Sequence, residues 1–109
     1  MPRTIFPQGS LPLLALKILA QAGPLHGYAI TLKIERLCED VLSVEEGSLY
    51  PALHRLEESA WIKGRWIVTE NKRRARIYEI TSAGREQLEV EEKRWRVAAA
   101  AVARILRFA

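Results

Sequence analysis

The sequence predicts a mostly α protein with one small β-hairpin: three short helices, the hairpin, then a long final helix. Three observations carry this. Apolar residues recur at helical spacing in Leu11, Leu14, Ala15, Ile18, Leu19 and Ala22, in Ile30, Ile34 and Leu37, and in Leu49, Leu53, Leu56 and Ala60. Between Trp61 and Ile80 the pattern alternates instead, around a polar turn at Glu70-Asn71-Lys72-Arg73. From Thr81, a good N-cap, no proline interrupts a helical pattern that runs to about Phe108. This order of parts is that of a winged helix-turn-helix, residues 1–81, followed by a C-terminal dimerisation helix, residues 82–109, the two packing as one unit.

The first helix is expected to start with Ser10 as N-cap and Pro12 in its first turn, and to stop at Gly23-Pro24. Leu13, Leu16 and Ala20 give it a second apolar stripe, so it needs cover on two sides. The second helix, about His26 to Cys38, is expected to bury Ile30, Ile34, Leu37 and Tyr28. Cys38 is the sole cysteine, read as a small buried hydrophobe; no intrachain disulfide or cysteine-rich zinc site can form. The third helix starts near Glu45, where Ser43 and Glu46 match a capping box. Pro51 lies inside it and crowds the Gly47 carbonyl, which predicts a loosened first turn and a bent axis.

In the hairpin, Ile62, Trp66 and Val68 share one face and Lys63, Arg65 and Ile67 the other, with Tyr78 and Ile80 inward on the return strand. Two strands alone are marginal, so the ribbon must pack on the helices. The last helix is on the order of 40 Å long at ~1.5 Å per residue, longer than a domain this small can cover. Its stripe of Leu88, Trp95, Ala99, Val102 and Leu106 implies a second copy, joined also through Leu13 and Leu16 of the first helix.

Composition narrows the function. The 109 residues suit one domain, and a hydrophobic fraction of 49% is ample for a core. No apolar run is long enough for a bilayer, and Met1-Pro2-Arg3-Thr4 leads into no secretory core, so a cytoplasmic protein without membrane contact is expected. Net charge is +4, and its distribution matters more than its size. Lys63, Arg65, Lys72, Arg73, Arg74 and Arg76 face one acid, Glu70, whereas the segment from Arg85 to Arg96 mixes both signs. Catalysis finds no support: His26 and His54 lack metal-binding spacing, Ser48 has no evident base, and no phosphate loop or nucleophile elbow occurs. No catalytic residue, metal or cofactor is expected.

The exposed face of the third helix carries Gly47, Pro51, His54 and Arg55, flanked by Ser48 and Tyr50, with no carboxylate until Glu58. A helix that offers donors, followed by a cationic hairpin, suits double-stranded DNA. Arg55 can reach guanine edges or a phosphate, and Lys72, Arg73, Arg74 and Arg76 can lie along phosphates or enter the minor groove. Tyr50 either packs at the helix border or gives its hydroxyl to a phosphate. Two other classes compete. A winged helix used for protein assembly needs an acidic or apolar recognition face, which Arg55 and the hairpin arginines oppose. A ligand-binding dimer with a secondary DNA role would use Trp95, which is either dimer core or one of a pair of tryptophans lining a flat aromatic site between subunits.

Across nearly the whole chain, Leu13 to Leu106, the residues resemble the PadR family of bacterial transcriptional regulators. The specific pieces are Gly23-Pro24-Leu25-His26-Gly27-Tyr28, Gly47-Ser48-Leu49-Tyr50-Pro51-Ala52-Leu53-His54-Arg55-Leu56-Glu57, and Arg73-Arg74-Ala75-Arg76-Ile77-Tyr78-Glu79-Ile80-Thr81-Ser82-Ala83-Gly84, with Glu92-Lys93-Arg94-Trp95 completing the set. The resemblance implies a winged helix-turn-helix, a dimerising C-terminal helix, and repression from operators of approximate two-fold symmetry. It implies that Tyr50, its helix neighbours and the wing arginines face DNA. It also implies that a small aromatic effector at the dimer interface can release the operator, and it points to the smaller, single-helix branch. One departure is Ala60, where the family usually ends its recognition helix with glycine; alanine resists the left-handed conformation at about 1 kcal/mol.

Overall fold

The structure, a computed structural model, describes residues 4–5 and 9–108. Met1-Pro2-Arg3, on which the expectation of no secretory leader partly rests, lies outside them. Its elements are β1 (Thr4–Ile5), α1 (Ser10–Ala22), β2 (Leu25–His26), α2 (Gly27–Leu37), β3 (Leu42–Ser43), α3 (Glu46–Glu58), β4 (Ile62–Val68), β5 (Arg74–Ile80) and α4 (Ser82–Phe108). The mostly helical class with a small sheet and a long last helix is thus as the sequence predicts.

α1 is the hub. It packs against α2, α3, β5 and α4, so its two apolar stripes are covered from several sides. Leu16 and Leu19 of α1, Ile30 of α2, Leu49 and Leu53 of α3 and Ile62 of β4 are the largest fully buried side chains. This corrects two expected interface residues. Leu16 and Leu88 are only 1% and 6% exposed within a single chain, so they have no surface left for a partner. Leu13 is half-buried against the same core. The second stripe of α1 is covered by its own domain.

Local starts and stops differ from expectation where backbone geometry competes with side-chain capping. Gly9, in the left-handed region at φ 85°, is the N-cap of α1, and Ser10 is buried in the first turn. Leu25 and His26 pair with Tyr78 and Ile77 before α2 begins, adding a third strand in the order β2-β5-β4. His26 then caps α2, its Nδ1 accepting from the Ala29 amide at 3.2 Å. Ile30 and Ile34 are buried, but Tyr28 and Leu37 are 61% and 69% exposed, contrary to expectation. Tyr28 lies two residues from Ile30, about 200° around the helix. Leu37, at the helix end, borders an open hollow of about 210 Å³ shared with Leu14, Ile18, Cys38 and Leu42. Half-buried Cys38 does more than fill space: its thiol faces the Glu35 and Leu42 carbonyls at 3.4 and 3.6 Å and accepts the Leu42 amide at 3.4 Å. Those contacts brace a turn in which Glu39 and Asp40 both take positive φ.

Ser43 is not the N-cap of α3 as the expected capping box requires. Ser43 belongs to β3, and Glu45 is the N-cap without a side-chain bond; the Glu46 side chain lies outside what is described. The Ser48 and Leu49 amides converge on the Glu45 carbonyl at 3.0 and 3.2 Å. Pro51 does sit inside the helix. At the other end Ala60 leaves the buried stripe: it is exposed, and Ala52 is buried. Its φ of 61° puts it in the left-handed position after the C-cap. The Trp61 amide donates to the Leu56 carbonyl at 3.0 Å and the Ala60 amide to Glu57 at 2.9 Å, the paired bonds of a Schellman ending. Alanine therefore takes the glycine geometry and carries its strain.

β4 and β5 pair from Ile62↔Ile80 to Val68↔Arg74. Only the base of their inner face is covered: Ile62, Tyr78 and Ile80 are buried, while Trp66 and Val68 are 56% and 71% exposed. Thr81 caps α4 as predicted, accepting the Gly84 amide at 3.0 Å and donating to the Ala60 carbonyl at 2.8 Å. Gly84 is obligatory there, because an added Cβ would lie 2.0 Å from the Trp61 carbonyl oxygen. Lys17 ties α1 to Glu92 at 2.9 Å, and from Lys93 to Arg107 every residue of α4 is exposed. The radius of gyration, 15.4 Å, exceeds the roughly 13 Å of a compact chain this long because α4 projects.

Candidate nucleic-acid interface

α3 separates into two faces. Leu49, Ala52, Leu53 and Leu56 are buried at 2% or less, while Gly47, Ser48, Tyr50, Pro51, His54 and Arg55 are exposed. The predicted helix residues are thus together on one outward surface. Among the described residues Arg55 has no carboxylate partner, leaving its guanidinium available to an incoming acceptor. His54 Nε2 instead lies 3.1 Å from Glu58 Oε1 one turn on. The Tyr50 ring lies on the first turn of α2, where Gly27 makes room: a Cβ at that glycine would be 3.1 Å from the ring and its hydroxyl. Tyr50 packs at the border and still keeps 52% exposure.

The wing tip is built from Thr69 to Arg73. The Thr69 amide donates to the Arg73 carbonyl at 2.8 Å, and the Lys72 amide to the Thr69 carbonyl at 2.9 Å. Lys72 takes φ 59°, which completes a type I turn with a left-handed residue after it. Lys72, Arg73 and Arg74 are exposed, and Arg74 stacks over Trp66 at 4.5 Å from the ring centre. Neither Arg73 nor Arg74 has a carboxylate partner among the described residues.

Arg76 departs from the sequence expectation of an outward-facing cation. Its guanidinium meets Glu57 of α3 at 2.7 and 3.5 Å and lies 5.3 Å from the Trp66 ring and 6.0 Å from Tyr78. Strand register is the cause: Arg76 pairs with Trp66 one step above Gly64↔Tyr78, on the face turned to α3. The hydrogen bond to Glu57 raises the Arg76 pKa further above its ordinary value. Burial first, and Glu57 second, push the Tyr78 hydroxyl above its usual 10.0, so it stays protonated through the neutral range.

Between the α2 start, Tyr50 and the hairpin runs a cleft of about 700 Å³, walled by Tyr28, Tyr50, Trp66 and Tyr78 with Arg73 and Arg74 at its rim. Sequence reasoning missed Trp66, Tyr28 and Glu57 as parts of this surface. A signal for Trp66 existed: counting back from a symmetric turn places it opposite Arg76. No sequence signal placed Glu57. Among the described residues no His, Cys, Asp or Glu cluster could hold a metal ion, and no described helix is long and apolar enough to cross a membrane.

Residues 15–90 match the family model described as the Transcriptional regulator PadR-like family. The chain belongs to that family. Its members are transcriptional regulators and not enzymes. An uncharacterized 37.1 kDa protein in transposon TN4556 of Streptomyces fradiae is 46% identical over 69 residues, which are 63% of this chain and 18% of that protein. The PadR-like chain therefore spans less than a fifth of that curated relative. Among solved structures, a transcriptional regulator from Clostridium thermocellum, Cth-833, is 26% identical with a TM-score of 0.81, over 89% of this chain and 93% of that one. Bacillus subtilis PadR in complex with operator DNA is 26% identical with a TM-score of 0.67, over 77% of this chain and 46% of that one.

Proposed function

We propose that this PadR-like regulator acts in the cytoplasm as a homodimeric repressor that binds a pseudo-palindromic operator in double-stranded DNA. The observation that carries the reading is the juxtaposition of the exposed α3 face with Arg73 and Arg74 of the wing, which have no carboxylate partner among the described residues. The likeness to Bacillus subtilis PadR, solved with operator DNA, supports it. Ser48, Tyr50, Pro51, His54 and Arg55 face the major groove, with Arg55 reading a base edge; Lys72, Arg73 and Arg74 follow the phosphates. Two recognition helices related by dimer symmetry lie about 34–36 Å apart, one turn of duplex.

Dimerisation uses the exposed stripe of α4, with Trp95, Val102 and Leu106 at 45%, 55% and 70% exposure and Ala99 between them. Val90 and Val97, which the sequence reading left out, are also exposed but lie on the opposite side of the helix, beside Ala98 and Ala101. A planar aromatic effector held between two Trp95 side chains would release the operator by changing the spacing of the wings. The test is a salt titration of binding to duplexes selected by the protein from a random pool. Replacing Arg73 and Arg74 by Ala reduces the slope of log affinity against log salt by about 1.8, at roughly 0.9 per phosphate contact. An unchanged slope and affinity would show that the wing does not touch DNA.

A further inference from the structure

The wing overhangs the helices, so something other than the core must set its angle. Beyond the buried Tyr78, the inner face of the hairpin is open among the described residues, as the exposure of Trp66 and Val68 shows. The short β2 strand pairs with Tyr78 and Ile77, and next to it a side-chain link joins the last turn of α3 to β5. Glu57 and Arg76 are the least exposed ion pair among the described residues, with side chains 24% and 29% exposed. Their geometry is two-pronged, Oε2 to Nη2 at 2.7 Å and Oε1 to Nε at 3.5 Å, which restrains orientation as well as distance. The guanidinium is also seated against the Trp66 ring, which in turn carries Arg74. Gly64 leaves the space for it: a Cβ there would lie 2.8 Å from three guanidinium atoms. A continuous series of contacts thus runs from α3 through Glu57, Arg76 and Trp66 to Arg74 near the wing tip.

We propose that the Glu57–Arg76 pair is a positioning element which fixes the wing against the recognition helix and thereby sets discrimination between operator and unrelated DNA. The proposal rests on the DNA-binding reading above. Its physical content is a pair of opposed effects. A carboxylate beside a cationic face weakens attraction to phosphate on any sequence. The same carboxylate, by holding the wing, lets α3 and the wing tip engage one duplex at once, which only the correct site rewards. General affinity and specificity should therefore move in opposite directions when Glu57 is removed.

The experiment compares wild type, Glu57→Ala and Gly64→Ala on a duplex selected by the wild type and on a scrambled duplex of equal length. Glu57→Ala is expected to bind the scrambled duplex more tightly and the selected one more weakly, with the specificity ratio falling about tenfold. Gly64→Ala displaces the guanidinium without altering charge, so it should weaken only the selected duplex. In the free protein, amide hydrogen exchange at Trp66 and Arg76 should quicken in both variants while exchange at Leu53 stays slow. If Glu57→Ala strengthens both duplexes equally, Glu57 is a bystander acid and the proposal fails. If either variant keeps both its specificity ratio and its wing exchange, the proposal also fails. Wild type that binds neither duplex overturns the DNA reading instead, and hydrogen exchange tells the two failures apart.

Discussion

The winged body and the projecting half of α4 use apolar residues in opposite ways. In the body, Leu49, Leu53 and Leu56 of α3 are buried at 2% or less, and the polar side of the same helix faces outward. In α4 beyond Glu92, Val97, Val102, Ile105 and Leu106 are all more than half exposed. One helix buries its apolar side within the chain; beyond Glu92 the other is covered by none of the described residues. A soluble monomer rarely exposes so many apolar side chains on one helix, so body and arm differ in how they are covered: the body by its own folding and, under the proposed homodimer, the arm by a second copy.

The largest effect that would break this contrast is in the core. Leu53→Ala should destabilise the body by about 3–4 kcal/mol at any protein concentration, measured by urea unfolding, because Leu53 is 0% exposed. Leu106→Ala, in the arm, should change the same measurement by less than about 0.5 kcal/mol when the protomer is dilute. Equal losses at the two sites would mean that the arm folds as part of the body.

Trp95→Glu addresses the arm directly. A charge placed on its seam should convert the dimer to monomer at micromolar concentration, by light scattering, while far-ultraviolet circular dichroism of the body persists. A wild-type protein that is monomeric under those conditions would remove the basis for the contrast. Within the body, Arg55→Ala should cost about 1–3 kcal/mol on the selected operator and little on random DNA, unlike the wing substitutions. Full retention of the specificity ratio would move base reading to Tyr50 and Ser48 or to DNA shape. The smallest expected effect is favourable: Ala60→Gly should stabilise by about 0.5–1 kcal/mol in thermal unfolding, since glycine accepts the left-handed φ without strain. No gain would show that the α3 exit relaxes when alanine occupies it.

The sequence by itself determined the parts and their faces. Helical spacing of Leu49, Leu53 and Leu56 assigned a buried side to α3, and with it the outward position of Ser48, Pro51, His54 and Arg55. Alternation located the hairpin, and Thr81 marked the start of α4. These are local properties, governed by periodicity and backbone propensity within a few residues. Only the tertiary structure decided how shared stripes are divided. Leu16 and Leu88 have the pattern of interface residues, yet α1 lies at the centre of the body and buries them there. Leu37 follows the spacing of a core residue but ends its helix beside an open hollow. Arg76 belongs by sequence to a cationic run that suits phosphate, but strand register turns it toward Glu57, 19 residues earlier in the chain. The physical reason is common to all three: a residue's type fixes what it can bind, and the packing of distant segments fixes which partner reaches it first.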